Sequence, residues 1–207
     1  MNKATIKKSS KSEPPKKVRI IGGVWRSRLL PVIDLPGLRP TTDRIRETLF
    51  NWLGQDLSGL HCIDLFAGTG ALGFEAASRN AELVVLLERD KKAYNNLRDN
   101  LKMLQSSPIS GRVEIAHKDS LEFLKQQADR SSDLIFIDPP FQDSALLDRA
   151  VVEAARVCDA NAGGGIYVEF PFSRSREEVE ALIPDWDCGK YLEAGAVKAC
   201  LFRGRKD

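Results

Sequence analysis

No stretch of this 207-residue chain approaches the ~20 uninterrupted apolar residues that a membrane-spanning helix requires, and Leu83 to Leu87 is among the longest apolar runs. A membrane protein is therefore not expected. The first residues carry lysines but no apolar segment after them, so a secretory signal is not expected either, and a cytoplasmic location is. Histidine is almost missing, with only His61 and His117, far apart in sequence. The four cysteines, Cys62, Cys158, Cys188 and Cys200, show no C-x-x-C spacing. No metal-site pattern is present, and free thiols in a reducing compartment are expected. Whether Cys188 and Cys200 face each other across a hairpin is left open by the spacing. Long internal repeats are also lacking. What is present, 43% hydrophobic and 29% charged residues, excludes wholesale disorder and collagen-like repetition. The length suits one α/β core with a small appendage.

Charge is unevenly spread. Residues 1–54 hold 12 Lys and Arg against 4 Asp and Glu, while the remainder holds 19 against 25, so a front end of +8 precedes a body of −6. A basic front end is the expected footprint of a polyanion partner, because each neutralised phosphate releases condensed counterions. The Lys-, Ser- and Pro-rich residues 1–17 read equally as a solvated, disordered tail.

The rest of the chain predicts a doubly wound, Rossmann-like α/β sheet. Short apolar and basic stretches alternate from Val18 to Asp34 around Gly22-Gly23 and Pro31, suggesting a small β element. Thr41-Thr42-Asp43 offers helix caps, and Ile45, Leu49 and Leu53 share one face of a helix of about three turns. Alternating strand and helix patterns follow: residues 62–66, 71–79, 82–88, 91–105, 112–116, 121–128, 133–138 and 146–158, then a strand over 166–170. Leu83 to Leu87 and Leu134 to Ile137 are continuously apolar, as strands covered on both faces must be. Such a pattern predicts parallel pairing with right-handed crossovers. Residues 186–192 and 196–202 flank Glu193-Ala194-Gly195 and predict an antiparallel C-terminal hairpin closing one edge. The boundaries expected are a basic tail over 1–17, a β element and helix over 18–56 as the part that meets a polyanion, and the main domain over 57–207.

Two motifs carry chemistry. Asp64-Leu65-Phe66-Ala67-Gly68-Thr69-Gly70-Ala71-Leu72-Gly73 contains a complete G-x-G-x-x-G between strand and helix, and Glu88 ends the next strand 20 residues after Gly68. Glycines admit positive φ and let the backbone approach a ligand, while a carboxylate beyond the next strand accepts hydrogen bonds from ribose hydroxyls. This fingerprint alone leaves a dinucleotide and S-adenosylmethionine both open. Asp64 favours the latter, since a carboxylate there suits an ammonium and a sulfonium and would repel a pyrophosphate. Asp119 and Ser120 lie after the third strand of the main sheet, at the edge where open α/β sheets bind ligands; Asp119 is equally placed to cap the following helix.

The second motif is Asp138-Pro139-Pro140-Phe141, directly after the fourth apolar strand. Two prolines fix a rigid turn and remove N–H donors, leaving the Asp138 carboxylate and the Pro139 carbonyl as acceptors. A donor-only group such as the exocyclic amine of a nucleobase fits that pair, and Phe141 offers a face on which an unstacked base lies.

Asp64 to Gly73, Glu88 and Asp138 to Phe141 together resemble class I S-adenosylmethionine-dependent methyltransferases that act on exocyclic amines. Arg19-Ile20-Ile21-Gly22-Gly23, Trp25-Arg26 and the run Gly37 to Leu53 narrow the resemblance to the RsmD family of bacterial small-subunit rRNA guanine-N2 methyltransferases, from about Val18 to the C-terminus. The resemblance implies methylation of guanine N2 at position 966 of 16S rRNA, within an assembling 30S subunit. It assigns S-adenosylmethionine to Asp64, Phe66, Ala67, Gly68, Thr69, Gly70, Glu88, Arg89, Asp119 and Ser120, and the chemistry to Asp138, Pro139, Pro140 and Phe141. Arg19, Arg26, Arg28, Arg39 and Arg44 are expected to meet phosphates, with an Arg44–Glu47 pair along the helix as the alternative for Arg44. A monomer without metal is expected. The chain departs from the family's usual form in its lysine-rich residues 1–17 and in Ser27, where the family often has Gly. An adenine-N6 nucleic-acid methyltransferase, a non-catalytic RNA-binding assembly factor and an NAD-dependent oxidoreductase remain the competing readings.

Overall fold

The computed structural model describes residues 17–33, 43–161 and 163–205. Two three-residue strands, β1 (Lys17–Arg19) and β2 (Leu29–Pro31), pair antiparallel with Val18 opposite Leu30. Their connection bends at Gly23 and Ser27, both at positive φ (71° and 68°), and Ser27 N–H donates to the Ile20 carbonyl. The left-handed region explains why glycine suits this position, since a side chain there costs about 1–2 kcal/mol.

Helix α1 (Asp43–Leu53) follows, burying Ile45 and Leu49 of the stripe that the four-residue spacing predicts, with Leu53 half-buried and Arg46 and Phe50 buried beside them. The main sheet then alternates strands and helices: β3 (His61–Asp64), α2 (Ala71–Ser78), β4 (Leu83–Leu87), α3 (Lys91–Leu104), β5 (Arg112–Ala116), α4 (Ser120–Lys125), β6 (Leu134–Ile137), α5 (Ser144–Val157) and β7 (Gly165–Pro171). A short α6 (Arg176–Glu180) precedes the hairpin β8 (Trp186–Ala194) and β9 (Val197–Gly204). Strand order is β5-β4-β3-β6-β7-β9-β8. The first five run parallel, and β9 pairs antiparallel with both β7 and β8. The α/β sheet with its C-terminal hairpin is thus as the sequence pattern predicts.

Alternate residues of each strand feed two separate cores. Cys62, Val84, Leu134, Phe136, Tyr167 and Leu201 pack with the N-terminal strands and with α1, α2 and α3. Ile63, Ile135, Ile137, Ile166 and Val168 pack with α4, α5 and α6. Apolar residues at every position of β6 are thereby explained: each face has its own helical cover.

Three details differ from the pattern. Helix α4 stops at Lys125 rather than at residue 128, with Gln126 as its C-cap. Helix α6 has no counterpart in the predicted elements; it is held by a capping box in which Ser175 Oγ accepts from Glu178 N–H and the Glu178 carboxylate accepts from Ser175 N–H. In the hairpin, Cys188 stands opposite Phe202 and Cys200 opposite Tyr191, with an irregularity after Cys188. All four cysteines are free. Among the described residues no helix is long and apolar enough to cross a membrane, and no group of three or more His, Cys, Asp or Glu is placed to hold a metal.

Candidate active site

The strand order reverses between β3 and β6, whose following helices α2 and α5 cover opposite faces of the sheet, so a crevice opens at the C-terminal edge between them. Both sequence motifs end there.

The glycine turn is fastened by backbone hydrogen bonds to its neighbours. Leu65 N–H donates to the Phe136 carbonyl (3.1 Å), Ala67 N–H to Leu87 (2.9 Å) and Gly70 N–H back to Ala67 (2.6 Å). Gly68 and Gly70 take φ of 51° and 80°. A Cβ on Gly70 would stand 2.4 Å from the Phe74 ring, and one on Gly73 would stand 2.8 Å from Leu86 Cγ, so these glycines bring the helix start against the turn and the strand. Phe66 is half-buried, whereas Ala67 and Thr69 are buried.

Glu88 is oriented by two backbone donors: Oε2 accepts from Gly68 N–H (2.9 Å) and Oε1 from Asp90 N–H (2.7 Å). Each oxygen keeps further acceptor capacity. Arg89 is exposed, and its carbonyl accepts from His117 Nε2 at 2.9 Å. Asp64, at 2% exposure, accepts from Gly73 N–H at 3.0 Å. Burial pushes its carboxyl up to about 7, and the nearby charges of Asp138 and Glu88 add to the rise, against the lowering effect of the Gly73 and Phe66 N–H donors. Among the described residues no cationic side chain is within ion-pair distance of Asp64 or Glu88.

Asp119 is the cap of α4: its Oδ1 accepts from Leu121 N–H (3.0 Å) and Glu122 N–H (3.1 Å). Ser120, buried, donates to the Leu65 carbonyl and ties the start of α4 to the glycine turn. On the far side of the crevice Asp138 is half-buried, Pro139 buried and Pro140 exposed. Phe141 is half-buried, with part of its ring against the core beneath α1.

Of the basic candidates, Arg19, Arg26, Arg28 and Arg44 are exposed, and Arg39 lies outside the described residues. Arg28 Nη2 donates to Ser107 Oγ at 2.9 Å. Among the described residues Arg44 and Glu47 form no ion pair, so the pairing alternative for Arg44 is not what the structure contains.

Two buried carboxylates escaped the sequence reading. Glu75, fully buried on α2, accepts from Ile21 N–H and Gly22 N–H (both 2.7 Å) and from Arg79 Nε (3.0 Å) and Nη2 (2.9 Å), with Arg46 Nη1 at 3.7 Å. Arg46 Nη2 also donates to the Arg19 carbonyl at 2.7 Å. Trp25 completes the attachment, its N–H on Ser78 Oγ (2.8 Å) and its Nε1–H on the Ser107 carbonyl (2.7 Å). The basic N-terminal element is thereby bolted onto α2, one turn from the glycine loop. The signal was a glutamate inside an otherwise small and apolar helix. The second group is Glu169 on β7, 2% exposed, whose Oε1 accepts from Tyr167 O–H at 2.8 Å.

The model of the family described as Conserved hypothetical protein 95 matches residues 18–203. Ribosomal RNA small subunit methyltransferase D of Haemophilus influenzae is 44% identical over 191 residues, 90% of this chain and 93% of that protein. Its Escherichia coli namesake is 46% identical over 129 residues, 62% of this chain and 63% of that protein. Among solved structures, Escherichia coli yhhF, described as a candidate methyltransferase, superposes with a TM-score of 0.76 at 36% identity, covering 93% of this chain and all of that one (100%). A family match over nearly all of the described residues, joined to these identities, shows that the chain belongs to the Conserved hypothetical protein 95 family, which is the RsmD family.

Proposed function

We propose that the protein transfers a methyl group from S-adenosylmethionine to the exocyclic N2 amine of guanine 966 in 16S rRNA, acting on the assembling small subunit. The observation that carries this reading is the convergence of Asp64, Glu88 and Asp138 at one crevice, on a chain 44% identical to a protein named for small-subunit rRNA methylation. A buried carboxyl held near neutrality beside two further carboxylates is complementary to a cation. The methyl donor is a cation, and it supplies an activated methyl on a sulfonium that leaves as a neutral thioether.

The residues divide the work by position. Gly68 and Gly70 let the backbone approach the donor, Phe66, Ala67 and Thr69 line the turn, and Glu88 accepts from ribose hydroxyls. Arg89 borders that subsite. Asp119 and Ser120 frame the adenine end, with Asp119 also capping α4. Asp64 faces the ammonium and sulfonium charge. On the acceptor side, Asp138 and the Pro139 carbonyl hold the two N–H bonds of the guanine amine. Its lone pair is then aimed at the methyl carbon, and positive charge developing on nitrogen is favoured. Pro140 stiffens the turn, and Phe141 stacks a base presented single-stranded or flipped. The proton lost from nitrogen passes to Asp138 or to water.

In this reading residues 18–56 dock RNA through Arg19, Arg26, Arg28, Arg39 and Arg44, residues 57–207 carry the transfer, and residues 1–17 add basic charge. The protein works as a cytoplasmic monomer without metal. Asp138→Ala tests the division: binding of S-adenosylmethionine by calorimetry stays within about threefold while transfer falls by at least a hundredfold, roughly what removal of a preorganised charge-stabilising group costs. Full activity in that variant refutes the acceptor assignment.

A further inference from the structure

Continuing the β6–β7 register past Phe136 opposite Tyr167 and Ile137 opposite Val168 brings Asp138 beside Glu169. Asp138 then stands just past the C-terminal end of β6 and Glu169 two residues before that of β7, about 5 Å apart in backbone spacing. They also share a face, because Phe136 and Tyr167, two residues earlier, both belong to the core under α1. Burial of a carboxylate at 2% exposure is costly without a purpose or partners. One partner is visible: Tyr167 O–H donates to Oε1 at 2.8 Å. Burial and the Glu169 charge push the Tyr167 phenol well above its ordinary value, so it stays a donor and fixes the carboxylate's orientation. A carboxylate has about four lone-pair sites, more than this one hydrogen bond uses.

We infer that Glu169 is the specificity-determining residue of the acceptor pocket, taking the N1–H of the guanine whose N2 amine Asp138 and the Pro139 carbonyl hold. The inference rests on the guanine reading given above. Guanine presents three donor hydrogens along this edge, one on N1 and two on N2, and the pocket then presents three acceptors. Adenine would turn the N1 lone pair toward the Glu169 carboxylate, acceptor against acceptor. Glu169 therefore accounts for the choice between guanine N2 and adenine N6, a choice that the Asp-Pro-Pro-Phe motif leaves open by itself.

The experiment replaces the target guanosine in ligated 16S rRNA by 2-aminopurine, which keeps the N2 amine but carries a lone pair at N1, and compares kcat/KM for the two RNAs. The wild type should prefer guanine by at least about a hundredfold, because a site built to hydrogen-bond a donor rejects an analogue lacking it. In Glu169→Gln the preference should narrow at least tenfold, since an amide can offer either its carbonyl to N1–H or its N–H to the N1 lone pair. Tyr167→Phe, which keeps the carboxylate but loosens its orientation, should narrow the preference by a smaller factor, and it serves as the test if the glutamine variant does not fold. An unchanged preference in the folded variants, with activity lowered equally on both RNAs, overturns the inference and leaves Glu169 structural. Equal activity of the wild type on both RNAs also overturns it while leaving N2 methylation intact. Methylation of neither RNA, or of an adenine, instead refutes the underlying reading.

Discussion

Asp64 offers a perturbation whose magnitude follows from its surroundings. Its carboxyl is pushed up to about 7 in the folded chain, from an ordinary value of 3.8, mainly by burial. A folded-state value above the unfolded one means that the native state holds a proton the unfolded chain has lost. Asp64 therefore opposes folding increasingly as pH rises from about 4 to about 7, and its cost levels off above that. Between pH 5 and pH 8 the added cost is about 3 kcal/mol, at 1.36 kcal/mol for each unit of differential titration. Asp64→Asn keeps an oxygen to accept from Gly73 N–H and cannot ionise. The assay is urea unfolding of both proteins at pH 5, 6, 7 and 8 without S-adenosylmethionine, comparing the difference in stability so that other titrating groups cancel. The variant's stability relative to the wild type should rise across that range by about 3 kcal/mol, while its affinity for S-adenosylmethionine falls. A difference that stays flat with pH refutes the assignment of a buried, proton-holding carboxyl at this position.

Removing the Glu75 charge in Glu75→Gln leaves Arg79 buried without its counter-ion and Arg46 paired only with Asp43, and should cost about 3–5 kcal/mol in urea unfolding. Hydrogen exchange at the Ile21 and Gly22 amides should accelerate with it. Gly70→Ala, which puts a Cβ 2.4 Å from Phe74 at a φ of 80°, should destabilise by about 1–3 kcal/mol and weaken S-adenosylmethionine binding in calorimetry. Ser27→Gly should stabilise the folded chain against thermal unfolding by up to about 1 kcal/mol, because it relieves the positive φ there. Replacing Arg19, Arg26 and Arg28 together by Ala should flatten the slope of log affinity against log salt for RNA by about 2–3, and an unchanged slope removes them from the interface.

The alternation of strands and helices was legible because the strands are continuously apolar and bounded by glycine, proline or acidic residues, as at Leu134 to Asp138. Their burial on both faces requires that pattern. The nucleotide-type crevice was legible for a related reason: Gly70 and Gly73 are there because side chains do not fit, Gly68 takes a positive φ, and such exclusions leave a mark in sequence. Helix α6 was hidden by its five-residue length, although Ser175 followed by Glu178 carried the capping signal. Asp119 had two readings, and its cap became visible only with the Leu121 and Glu122 amides in place. The Glu75 network depends on the Ile21 and Gly22 amides, 54 and 53 residues away, whereas Tyr167 and Glu169 lie two residues apart on β7 and only the register with β6 sets them beside Asp138. No local pattern encodes such contacts.

The most direct measurement of the central claim is transfer of an isotope-labelled methyl group from S-adenosylmethionine to small subunits lacking the modification, with free 16S rRNA in parallel, followed by nucleoside analysis and mapping of the labelled fragment. The account predicts label in N2-methylguanosine at position 966, absent with Asp138→Ala. Label in N6-methyladenosine, or none on either substrate by a protein that binds S-adenosylmethionine, would contradict it.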